Sequence, residues 1–186
     1  MNRRDFITKA GLGTLAAASL PALAKTLAWP DSASAHLGRG FYFAAVGFAA
    51  PPDRIILTGA GRYSSRDVHG GGNFTHFQAT GSPPFPIVGS GRWIATELLS
   101  FTPTTPPGFG AHRGGILEMQ VKLFPTGGSS ISGVTMKVVC NIGPGGLSTG
   151  EEEGVTLTVP GAPFGPFAPS DPPTGITAFV QGTVPF

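Results

Sequence analysis

Charge is scarce in this 186-residue chain: only 12% of its residues are Asp, Glu, Lys or Arg, and the formal net charge is +2. Apart from Arg3-Arg4 no two cations are adjacent, so the positive footprint that nucleic acid or an anionic membrane would need is missing. Cysteine occurs once, as Cys140, which excludes an internal disulfide and leaves the fold to be held by its core alone. In Val138-Val139-Cys140-Asn141-Ile142 that thiol reads as a small buried hydrophobe. No apolar run approaches the 18 or so residues of a stable membrane-spanning helix, and no sustained helical period occurs after Ala35.

What is abundant is glycine and proline, 29 and 19 residues, punctuating short runs rich in Val, Ile, Phe, Thr and Leu. In 115–124, Leu117, Met119, Val121 and Leu123 alternate with Glu118, Gln120 and Lys122; in 134–142, Val134, Met136, Val138, Cys140 and Ile142 alternate with Thr135, Lys137 and Asn141, Val139 excepted. Period-2 alternation places one face on a core and one in water, as in antiparallel sheets. Strands are predicted at 41–48, 54–63, 73–80, 92–101, 115–124, 134–142, 155–159 and 175–184. The expected fold is all-β: a single antiparallel β-barrel or β-sandwich of about eight strands. Proline-dense connections at 81–86, 102–110 and 160–174 are expected to protect a barrel mouth or sheet edge. Glu151-Glu152-Glu153 reads as a solvated turn. One weak echo, Gly59-Ala60-Gly61-Arg62-Tyr63 against Gly89-Ser90-Gly91-Arg92-Trp93, reads as strand bends with Arg outward and the aromatic inward.

The chain opens Met1-Asn2-Arg3-Arg4-Asp5-Phe6-Ile7-Thr8-Lys9, followed by a mildly apolar run, 10–24, too short and weakly apolar to anchor permanently. Arg3-Arg4, Phe6, Ile7 and Lys9 resemble a twin-arginine export signal, with Asn2 and Thr8 departing from the usual pattern. The resemblance covers residues 1–35 and implies transport of a folded protein by the twin-arginine export machinery to the periplasm or cell exterior. A cut after Ala24 or after Ala35 satisfies the small-x-small rule, leaving 36–186 as one β domain. Cutting after Ala24 removes Arg3, Arg4, Lys9 and Asp5, so that nine cations face nine acids and the basicity disappears.

The densest chemistry lies between Arg66 and Phe77. There Asp67 and His69 precede Gly70-Gly71-Gly72, and His76 follows. Three consecutive glycines suggest a mobile hairpin tip, or else a ligand approaching the backbone or a bulge aiming those side chains inward. The expected site is a small-molecule pocket built from Asp67, His69, His76, Arg62, Trp93 and Glu97; strict alternation puts Glu97 on the same face as Trp93, whereas a bulge would turn it outward. An alternative is a metal centre for copper or zinc, with His69, His76 and His112 as ligands, joined by His36 if the later cut exposes it. His69-Gly70-Gly71-Gly72 and Gly146-Leu147-Ser148-Thr149-Gly150 imitate the oxyanion-hole and nucleophile motifs of esterases, but no histidine follows Ser148 to serve as its base. With no nucleophile–base pair of motif strength, the sequence favours a ligand-binding or envelope-associated module over an enzyme. A cavity-type isomerase or cyclase, working through one acid or base, is the catalytic alternative.

Overall fold

The structure, a computed structural model, describes residues 39–50, 53–80, 82–104 and 111–181. The twin-arginine segment, both cut sites and His36 lie outside the described residues. Nine strands form one antiparallel sheet: β1 (Arg39–Ala49), β2 (Asp53–Tyr63), β3 (Val68–Gln78), β4 (Ile87–Pro103), β5 (His112–Arg113), β6 (Gly115–Pro125), β7 (Ile131–Cys140), β8 (Gly154–Thr158) and β9 (Gly175–Gln181). Their spatial order is β5-β9-β1-β2-β3-β4-β6-β7-β8. The two-residue β5 raises the count above eight, and Gly143–Leu147 adds one five-residue helical turn, α1. Among the described residues no helix is long and apolar enough to cross a membrane.

The sheet curls into a half-barrel, and the chain path shows how its two ends approach each other. β5 pairs with β9 at one end of the strand order, Arg113 opposite Phe179, yet only Gly114 separates β5 from β6 near the other end. One residue spans too little distance to cross a flat sheet of this width. The open side is spanned by side chains and by a crossover. Thr177 of β9 donates its hydroxyl to the carbonyl of Val139 on β7 at 2.7 Å, and the Cys140 thiol donates to the carbonyl of Thr177 at 3.3 Å. In the 159–174 connection, Phe167 exchanges two backbone hydrogen bonds with Leu157 of β8, and Ala168 exchanges two with Phe48 of β1. Both otherwise bare edges are thus partly satisfied.

The interior follows the alternation where the strands are regular. Leu117, Met119, Val121 and Leu123 of β6, with Val134, Met136, Val138 and Cys140 of β7, are all buried. In β4 the pattern changes, because two bulges each insert a residue opposite β6, between Ala95 and Glu97 and between Leu98 and Ser100. The inward residues become Trp93, Ala95, Leu98 and Phe101, whose partners on β6 are Leu123, Val121, Met119 and Leu117. Strict alternation therefore fails for Glu97: the first bulge turns it to the outside, opposite Gln120 and exposed.

The acidic run is only partly a solvated turn. Glu151 pairs with Lys137 at 2.6 Å and Glu153 lies 3.1 Å from the Thr177 hydroxyl, while Glu152 is exposed.

Candidate functional site

The glycine triplet lies inside β3, all three residues paired with β2 and Gly71 and Gly72 also with β4, and forms neither a loop nor a bulge. Gly70 and Gly72 face inward, directly opposite Gly61 and Gly59 of β2. Together they make a floor without side chains on which aromatic rings lie flat. Phe41 and Phe43 come from β1 and Trp93 from β4; Phe43 stacks on Trp93 with centroids 5.7 Å apart and planes at 10°, and Phe41 stacks on Phe43 at 6.3 Å. The Trp93 indole N–H reaches across to the carbonyl of Thr58 at 3.0 Å. A Cβ on Gly59 would overlap the Trp93 ring and stand 2.8 Å from Phe43, and one on Gly72 would overlap the Thr58 carbonyl oxygen. The glycines are needed for close approach of rings and strands. Trp93 is 1% exposed at the centre of this packing.

The residues predicted for a shared site are dispersed. His69 and His76 are seven positions apart on one strand, which separates them by about 23 Å and, since seven is odd, sends them to opposite faces. His69 is exposed on the outer face opposite Arg62, which is also exposed. His112 stands on β5 opposite Val180. These three histidines cannot ligate one ion, and among the described residues no group of three metal-binding side chains converges. Asp67 closes an exposed turn in which the Ser64 hydroxyl accepts the backbone N–H groups of Arg66 and Asp67 at 3.0 Å each. Trp93 belongs to the core and Glu97 to the outer surface.

His76 does face inward, and it finds a partner that the sequence reading missed. Its Nε2 lies 3.3 Å from Oδ1 of Asp53, with side-chain exposures of 18% and 13%. The rings of Phe164 and Phe167 meet the imidazole edge-on at 5.1 Å each, so the crossover covers this pair. At the opposite end of β2 from Asp53, burial pushes the Tyr63 phenol from 10.0 up to about 12, against the opposing pull of Arg39 and Arg113. Burial, reinforced by the Glu153 carboxylate, also raises the Cys140 thiol, so it is held as a thiol and not as a reactive thiolate.

Concave polar surface occurs instead on the outside of β3, β4 and β6. Asn73, Arg92 and Phe124 form one rung across the three strands, and Thr75 and Ser90 form the next. Thr126, just past β6, is tied to this rung by its N–H donating to the Ser90 carbonyl at 2.8 Å. These six side chains border an open groove of about 460 Å³. The Arg92 guanidinium lies over the Phe124 ring, 5.5 Å from its centroid, and the Lys122 ammonium approaches the same ring at 5.6 Å. Gly91 allows the groove to form, since a Cβ there would overlap the Phe124 carbonyl oxygen and stand 2.9 Å from Pro125. Among the described residues no carboxylate is paired with Arg92. The sequence reading passed over this set because its members are dispersed from 73 to 126; the one local hint was Arg92 in the Gly-x-Gly-Arg-aromatic echo.

Comparison with known proteins finds no match: no family model fits the chain, and no curated protein or solved structure resembles it.

Proposed function

We propose that this protein is an exported small-ligand-binding module whose binding surface is the outer groove of β3, β4 and β6. The observation that carries the reading is Arg92. Its cation is stacked on Phe124 and lacks a carboxylate partner among the described residues, and it stands beside amide and hydroxyl groups in a groove sized for a small molecule. Export rests on the twin-arginine resemblance of the first residues, and an envelope location would follow from it. Binding fits better than catalysis, because the groove presents no nucleophile next to a base and none of its lining residues is acidic.

The test is amide-resolved NMR on the mature protein, titrated separately with amino acids, nucleotides, fatty acids, neutral sugars and sugar acids. One class should shift the amides of Ser90, Gly91 and Thr126 together. If none of the five classes moves that cluster, the groove is not a binding site and the proposal fails.

A further inference from the structure

We infer that the ligand of this groove is an acidic saccharide: a sugar ring carrying a carboxylate or phosphate that docks on Arg92, with its hydroxyls on the neighbouring side chains. The inference rests on the binding reading above and narrows it to one chemical class.

The anionic group follows from Arg92. Its guanidinium lies over the Phe124 ring, 5.5 Å from the centroid, and offers a fork of N–H donors that matches a bidentate acceptor. Lys122, on the same ring, adds a second positive charge within the reach of an anion, and no lining residue offsets it. A carboxylate or phosphate is the partner that satisfies this geometry.

The saccharide follows from what surrounds the cation. Asn73, Thr75, Ser90 and Thr126 supply one amide and three hydroxyls, all neutral and able both to donate and to accept. They sit on two adjacent rungs, spaced about 4.8 Å across strands and about 7 Å along them. A ligand covering that patch must present several hydroxyls in different directions, as a sugar ring does. A fatty acid would meet one aromatic ring and five polar side chains in an open groove, losing little apolar surface to water. A nucleobase would need a free ring face, whereas Phe124 already carries two cations.

Titration calorimetry of the mature protein with digalacturonate, its dimethyl ester, glucose 6-phosphate and acetate decides the question, with the same amide shifts reporting where each binds. Digalacturonate or glucose 6-phosphate should bind at least tenfold more tightly than the ester. Arg92→Gln should remove at least tenfold of that affinity, and Arg92→Lys should restore it only in part. Which of the two acids binds assigns a carboxylate or a phosphate as the docking group. Ester and acid binding equally would overturn the acidic class while leaving the groove as a site, since the Ser90, Gly91 and Thr126 amides would still shift. Acetate binding as tightly as digalacturonate would reduce the groove to a bare anion site and overturn the saccharide. Silence at those amides with every probe would remove the binding reading itself. Arg92 is exposed, so neither substitution threatens the fold.

Discussion

Trp93 on β4 donates its indole N–H to the carbonyl oxygen of Thr58 on β2, 3.0 Å away, although β3 runs between them. The bond is possible because the residue of β3 opposite Trp93 is Gly72, and the residue of β2 opposite that is Gly59. The largest side chain of the core lies where two side chains are missing.

Gly72→Ala should therefore destabilise the domain by about 1–3 kcal/mol, the usual range for overpacking, or more because its methyl would meet fixed backbone. Gly89→Ala is the control: its nearest neighbour would be the His76 Cβ at 4.0 Å, and its effect should stay within about 0.5 kcal/mol. Urea titration of the two variants measures the difference. Equal stabilities would mean that the glycine floor is not needed for packing.

Tyr63 makes stability fall at alkaline pH. Its phenol binds a proton more tightly folded than unfolded, so its contribution is fully present below pH 10.0 and is lost as pH rises towards about 12. The loss attributable to this group is about 2–3 kcal/mol. Its hydroxyl is also buried without a hydrogen-bond partner. Tyr63→Phe should accordingly be neutral or stabilising at pH 7 and should flatten the stability profile between pH 10 and 12. A variant with the wild-type alkaline slope would assign that slope to other groups.

Phe167 fastens the crossover to both flanks of the half-barrel. It is 1% exposed, bonds to Leu157 through its backbone and packs on His76. Phe167→Ala should cost about 3–5 kcal/mol, and hydrogen exchange should quicken at Phe48, Leu157 and Ala168 before it does in β6. Uniform acceleration across the sheet would show that the crossover has no separate role.

Arg3→Lys combined with Arg4→Lys should leave unprocessed precursor in the cytoplasm, detectable by fractionation and immunoblotting. Undiminished export would refute the twin-arginine reading.

The regular strands were legible because their sequence carries the period of the structure. β6 alternates from Gly115 to Leu123 and β7 from Val134 to Val138, and every inward apolar position in those stretches is buried. β3 was legible only from Asn73 onward: glycine has weak strand propensity, so Gly70-Gly71-Gly72 reads locally as a turn. Their strand conformation comes from pairing with β2 and β4 and from the rings above them. The burial of Trp93 could be read from its apolar neighbours, whereas the face of Glu97 could not, because a bulge is set by pairing to another strand.

The sequence by itself determined that the described chain is all-β, that its single thiol is buried and that it has no charge cluster for nucleic acid, since these follow from composition and period-2 patterning. Tertiary structure decided which side chains meet. Arg92, Asn73 and Phe124 come from three strands and share a rung only through interstrand register, which is fixed by hydrogen bonds between residues far apart in the chain. His69 and His76, seven positions apart on β3, fall on opposite faces by the pleat alone, once both belong to one strand.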